Sequence, residues 1–244
     1  MVAPAWPKCG MTRFSPVILV AGAASRVGVA CAQRLALEAT GGLLLVDGDE
    51  ELLTVTADSL ARPPERVSML NFDIADASRW QDAAAFLRGQ YGRLDWAIAC
   101  ISPDQSNGVD PGAAIGLIKA VGPLMQQNMQ GGAVTLIVSA QAVQVDALLR
   151  LVSAAAKEGG DKVRVNAVMN GAIESALWRR DPVFETLVRE NGNEAAALAK
   201  LAALSPALAR CGEKQDPARL ARMLLGDEAN VSGVILVADD GNTL

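Results

Sequence analysis

The sequence has 244 residues, with no histidine and only one tyrosine, Tyr91. The first absence removes the side chain whose ordinary pKa best suits proton exchange near neutral pH. The second leaves one phenol, in Gly89-Gln-Tyr91-Gly-Arg93, just before a strand pattern and so at the wrong end of a sheet for chemistry. No uninterrupted apolar run approaches the roughly 20 residues that a membrane span needs. The longest, around Leu43–Val46 and Val134–Val138, are strand-sized. Basic residues are in the minority, 22 Lys and Arg against 27 Asp and Glu. A net charge of −5 argues against a nucleic-acid partner, whose phosphates demand a basic surface. The four cysteines, at 9, 31, 100 and 211, have no paired metal spacing and imply no disulfide framework. We therefore expect no metal site and a reduced, cytoplasmic setting. Residues 1–15 carry Pro4 and Pro7 but no long apolar core, which does not suit a secretory signal. They read as a flexible extension, within which Met11 is an alternative start, and 16–244 reads as a single domain.

Half of the residues, 51%, are hydrophobic, and they fall in a repeating order. Short β-rich runs at 17–21, 42–46, 67–71, 95–100, 133–138, 163–168 and 234–237 alternate with helical patterns. The helices are expected at about 26–38, 49–60, 78–90, 113–129, 145–157, 194–203 and 216–225. That alternation predicts an α/β fold, a doubly wound parallel β-sheet with helices on both faces. The stretch 175–205 reads as a mobile lid, with Trp178, Phe184 and the Ala-Leu face of 194–203 lining an apolar surface for a small-molecule substrate.

The run Val17-Ile-Leu-Val-Ala21 leads into Gly22-Ala-Ala-Ser25-Arg26-Val27-Gly28. A strand, a glycine-bounded turn and a helix together place backbone N–H groups and a positive dipole end where a pyrophosphate binds. Gly22 permits the sharp turn and Gly28 the close approach of helix to sheet, while Ser25 and Arg26 offer a hydroxyl and a cation. About 25 residues on, the run Gly42-Leu-Leu-Leu-Val-Asp47 ends in an acid. Asp47 would accept hydrogen bonds from a ribose 2′-OH and repel a 2′-phosphate, which favours NAD(H) over NADP(H). A solvated strand-end acid is the alternative reading of Asp47.

From about residue 16 to the C-terminus the sequence resembles the short-chain dehydrogenase/reductase family. The family's T-G-x-x-x-G-x-G appears as Ala21-Gly22-Ala23-Ala24-Ser25-Arg26-Val27-Gly28, with Ala for Thr and Arg for the middle Gly. Asp73-Ile74 resembles its adenine-contacting Asp-Val pair. Gly92-Arg93-Leu94-Asp95 matches the approach to its fourth strand. Val163-Arg-Val-Asn166 matches the strand before its Pro-Gly, here Asn170-Gly171. Arg210-Cys-Gly212 and 216–225 resemble the late helix, and Ser232–Gly241 resembles the closing strand with its Asp-Gly-Gly. The resemblance implies a Rossmann-like fold and an NAD-dependent oxidoreductase. Its implied cofactor site comprises Gly22, Ser25, Arg26, Val27, Gly28, Asp47, Asp73, Ile74, Cys100 and Ile101. Its substrate-orienting serine is Ser139, the sole catalytic residue implied here.

The pattern then breaks. Asn-Asn-Ala-Gly after the fourth strand is replaced by Ala99-Cys100-Ile101-Ser102, and a dozen residues past Ser139 stands Leu151-Val152-Ser153 where the family has Tyr-x-x-x-Lys. Counting back from Asn166 shows the start of that helix to be deleted by a turn or more. In the family the Tyr exchanges a proton with the substrate oxygen and the Lys lowers its pKa, help typically worth about 10²–10⁴ in rate. Lys157, late in its helix, reads as charge balance for the helix end. Asp110, Asp146 and Glu174 are stand-in acids whose simpler reading is cap or surface. Cys100 has the simpler reading of a packed thiol. Three functional readings remain: an NAD(H)-dependent enzyme with a degenerate active site, a non-catalytic cofactor sensor or assembly partner, and a fold whose nucleotide pocket is filled by Arg26 and Ile101. The resemblance also implies a homodimer or homotetramer, paired through the helices at 113–129 and 145–157.

Overall fold

The computed structural model describes residues 15–60, 66–101, 111–139, 145–171, 182–204, 213–226 and 230–239. The elements in chain order are β1 (Val17–Ala21), α1 (Arg26–Ala36), β2 (Gly42–Asp47), α2 (Glu50–Asp58), β3 (Val67–Asn71), α3 (Arg79–Tyr91), β4 (Trp96–Ile101), α4 (Pro111–Gln126), β5 (Gly132–Ser139), α5 (Val145–Gly159), β6 (Val163–Asn170), α6 (Pro182–Asn191), α7 (Glu194–Leu204), α8 (Gln215–Leu225) and β7 (Ile235–Ala238). The strands form one sheet in the order β3-β2-β1-β4-β5-β6-β7, and every pairing is parallel. This is a Rossmann-fold arrangement. The order reverses between β1 and β4, so a crevice opens at the carboxyl ends of those two strands.

Strands buried on both faces read as continuous apolar runs because each side has its own core. On one side Ile18, Val20, Leu43, Leu45 and Ile98 pack with Cys31 and Leu35 of α1, Leu53 of α2 and Leu224 of α8. On the other, Leu19, Leu44, Ala97, Leu136 and Val165 pack with Trp80 and Leu87 of α3, Leu117 and Leu124 of α4 and Val152 of α5. Side chains of alternate strand residues feed alternate cores, as the two-residue period requires.

The strand expected at 95–100 starts one residue later because Asp95 is a staple. Its Oδ2 accepts from the Val17 amide at 2.9 Å and its Oδ1 from Arg93 Nε at 3.1 Å. Tyr91 is structural too. Its ring lies where a Cβ on Gly42 would stand, 2.3 Å from that position, and its hydroxyl pairs with Ser68 Oγ at 2.8 Å. Both contacts lie at the amino ends of β2 and β3, away from the crevice.

Part of the stretch read as a mobile lid is regular helix. Pro182 opens α6 at a position where a missing N–H is harmless, and α7 follows at Glu194. Phe184 is buried; Trp178 lies outside the described residues. The apolar stripes of α4 and α5 serve mostly the molecule's own core: Leu117, Val121, Leu124, Met125, Leu148 and Val152 are buried, and Ile115 and Leu149 stay exposed. No helix among the described residues is long and apolar enough to cross a membrane.

Candidate functional site

The carboxyl end of β1 turns sharply at Gly22, whose φ of +69° suits glycine. A Cβ there would stand 2.2 Å from the Cys100 carbonyl oxygen of β4. Gly28, one turn into α1, packs so closely on the same bend that a Cβ would lie 1.9 Å from the Gly22 carbonyl oxygen. Both glycines are therefore required by close backbone approach.

The amides of this turn are largely engaged within the protein. Gly22 and Ala23 donate to the Val46 carbonyl at 2.9 and 3.2 Å, and Ser25 to the Gly22 carbonyl at 3.2 Å. Ser25 is the N-cap of α1; its Oγ accepts from the Gly28 amide at 3.0 Å and donates to the Gly22 carbonyl at 2.7 Å. The hydroxyl expected to face an anion thus spends its proton inside the turn. Val27, half-buried against the core, keeps an amide without a partner among the described residues. Arg26, exposed at the first helical position, adds a cation at the same end.

Asp47 ends β2 and leans onto the turn. Its Oδ2 accepts from the Ala24 amide at 2.9 Å and its Oδ1 from the Asp49 amide at 3.1 Å. A carboxylate has about four lone-pair directions, so each oxygen retains capacity for a ribose hydroxyl. The bland reading of Asp47 as a solvated acid is replaced by that of an oriented one. Thr56 of α2, fully buried, braces the same turn: its Oγ1 lies 2.8 Å from the Leu52 carbonyl and 3.3 Å from that of Ala23. Asp73 lies beside Gly48, its Cα 3.5 Å from where a Cβ on that glycine would be. Its side chain accepts from the Ala75 amide at 2.9 Å in a local turn and is exposed. Ile74 is half-buried on the core, and its carbonyl accepts from Trp80 Nε1 at 2.9 Å.

The last two residues of β4 point into the cores. Cys100 is buried on the α1 side with its sulfur 3.9 Å from that of Cys31. Its interaction with Cys31, burial, and the nearby Cys31 and Asp47 charges push its thiol well above the ordinary value. Ile101 is packed in the opposite core. Both can face a ligand only through backbone, and an Ile101 side chain filling the nucleotide pocket does not fit that packing.

Ser139 is the last residue of β5 and is half-buried. Across the ladder its register partner is Asn170, the last residue of β6. Asn170 and Asp239, which follows β7, are both buried at this edge. Residue-type reasoning did not single out either of them. Only 140–144 separate Ser139 from the start of α5 at Val145. Asp146 is exposed in the first turn of α5, Lys157 is exposed in its last, and Asp110 and Glu174 lie outside the described residues. Among the described residues no cluster of three His, Cys, Asp or Glu could hold a metal.

Residues 16–110 match the short chain dehydrogenase family model. Over that stretch the chain is similar to the short-chain dehydrogenase/reductase family. Solved structures share the fold over nearly the whole chain. A short-chain oxidoreductase from Pseudomonas aeruginosa PAO1, described as containing an atypical catalytic center, aligns with a TM-score of 0.79 at 22% identity, covering 93% of this chain and 96% of that one. Carveol dehydrogenase from Mycobacterium avium in complex with NAD gives 0.76 at 22% identity, with 93% and 97% covered. A short-chain dehydrogenase/reductase from Burkholderia xenovorans gives 0.73 at 25% identity, with 93% and 96% covered. No curated protein matches the chain in sequence.

Proposed function

We propose that this chain is a short-chain dehydrogenase/reductase that binds NAD(H) at the carboxyl edge of β1 and β2 and carries a degenerate active site. The carrying observation is Asp47, fixed by the Ala24 and Asp49 amides at the mouth of the glycine turn. The two glycines let β1, β4 and α1 pack closely enough to form the strand-to-helix turn, and a turn of this kind suits a dinucleotide. In this reading the Val27 amide, Arg26 and the Ser25–Gly28 end of α1 meet the pyrophosphate. Asp47 holds the adenosine ribose and excludes a 2′-phosphate by charge. Asp73 and Ile74 flank the adenine, and Cys100 and Ile101 pass it along their backbone. The solved relatives include complexes with NAD and with NADP, so the preference for NAD rests on Asp47.

When bound, the nicotinamide would supply or accept hydride. What the chain itself offers near that position is Ser139, whose hydroxyl can orient a substrate oxygen by hydrogen bonding. An ordinary serine hydroxyl does not deliver a proton at neutral pH on the scale a tuned phenol does. With five residues between Ser139 and α5, and no tyrosine beyond position 91, the family's proton relay has no residues to form it. That shortening favours a non-catalytic sensor or assembly role as the second reading. A fold relative described as having an atypical catalytic center supports the view that this edge tolerates departure.

Calorimetric titration tests the proposal. NADH is expected to bind at about micromolar Kd, and NADPH at least about tenfold more weakly. Asp47→Ala should weaken NADH and narrow that gap. Absence of heat with both nucleotides would overturn the reading and leave a fold kept for assembly.

A further inference from the structure

We propose that Cys31 and Cys100 form a paired oxidation site, at which a hydroperoxide converts two buried thiols into a disulfide clasping α1 to β4. Neither sulfur takes part in the nucleotide site proposed above. The two sulfurs lie 3.9 Å apart although 69 positions separate them in sequence, Cys31 on α1 and Cys100 near the end of β4. Both are free thiols, buried in the apolar core that α1 shares with β1 and β4. Going from this contact to a bond is a displacement of about 2 Å, within reach of rotation about two Cα–Cβ bonds. The glycine turn covers the pair, since a Cβ on Gly22 would stand 3.3 Å from the Cys100 Cβ.

Burial decides which oxidant acts. Cys31 is 0% and Cys100 3% exposed, so a bulky disulfide such as oxidised glutathione has no approach to either sulfur. A hydroperoxide as small as hydrogen peroxide needs only a water-sized opening. The Cys100 thiol is pushed well above its ordinary value, first by its hydrogen bond to Cys31 and then by burial, so it keeps its proton. Cys31, having given its proton to water, attacks one peroxide oxygen as the thiolate. An S–O bond forms, the O–O bond breaks, and the departing hydroxide takes up a proton and leaves as water. The Cys100 sulfur then attacks the Cys31 sulfenic sulfur; the S–S bond forms, the S–O bond breaks, and the hydroxyl leaves as water with the Cys100 proton. Two thiols lose two electrons and two protons, and one peroxide becomes two waters.

The test exposes the folded full-length chain to hydrogen peroxide, removes the excess with catalase, blocks remaining thiols in urea and maps the peptides by mass spectrometry. The expected product is lighter by about 2 Da, with the Cys31 and Cys100 peptides joined. Its urea midpoint should rise by about 1 M, because the link closes a long loop, and should return on treatment with dithiothreitol. Cys31→Ala should show neither the joined peptides nor the rise. Both thiols still blockable after exposure, or sulfinic and sulfonic acids without a link, would overturn the proposal. So would a link to Cys9 or Cys211 in its place, a link that forms only in urea-unfolded chain, or a link that leaves the midpoint unmoved.

Discussion

Single atoms decide much of this molecule. Gly22 and Gly28 are fixed by carbonyl oxygens 2.2 and 1.9 Å from their absent Cβ atoms. The sequence motif therefore corresponds to a physical constraint and not merely to a pattern. Thr135 shows the opposite case. It sits fully buried in the middle of β5, between Ile98 and Asn166, and its hydroxyl has no hydrogen-bond partner. Replacing it with the isosteric valine removes an unsatisfied polar atom from the core. Thr135→Val should raise stability by about 1 kcal/mol and the melting temperature by roughly 2–4 °C in a thermal scan. The Cys100 thiol yields a prediction about alkaline stability. Its folded pKa is raised, so above about pH 8.5, where the unfolded thiol ionises, the folded state alone must hold the proton. The stabilising difference is full below that pH and is lost as pH rises towards the folded value. The urea midpoint should fall between pH 7.5 and 10, and fall less in Cys100→Ala.

At the level of elements, α8 is held by side chains from elsewhere. Arg164 of β6 donates to the Leu224, Leu225 and Gly226 carbonyls at 2.6, 2.8 and 3.0 Å, closing the helix end where acceptors are otherwise orphaned. Arg222 bonds both oxygens of Glu38, just past the end of α1, and lies 4.8 Å from the Trp96 ring centroid. Arg164→Met keeps the aliphatic stem and removes the cap. It should cost about 2 kcal/mol, read as a lowered urea midpoint, with the sheet otherwise intact. All seven strands were legible because both-face burial writes them as apolar runs, and the turn because its glycines bracket Ser25. Helix α6 was not, since Val183, Phe184, Leu187 and Val188 are interspersed with charges and follow a proline that reads equally well as a loop. Nor was the burial of Asn170 beside Ser139 visible. Its place at an edge depends on the pairing of β5 with β6, which no local pattern records.

For the whole molecule, pairing through α4 and α5 would draw on few apolar side chains. Most of the described apolar positions on these helices are buried internally, and among the described residues Ile115 and Leu149 are the large exposed ones. If copies pair through these helices, light scattering should give twice the monomer mass, and Leu149→Glu should return it to the monomer value by placing an unpaired charge in the contact. The glycine turn carries a different lesson. Val46, Asp47 and Ser25 close it on itself, so its shape does not depend on an occupant. Little freedom of the turn is left to lose on capture, so a ligand's affinity there would be set by contacts and not by ordering of the turn. On the proposed reading, recognition and chemistry thereby become separable inheritances: one end of the crevice keeps a nucleotide turn while the other, several strands away, is rewritten.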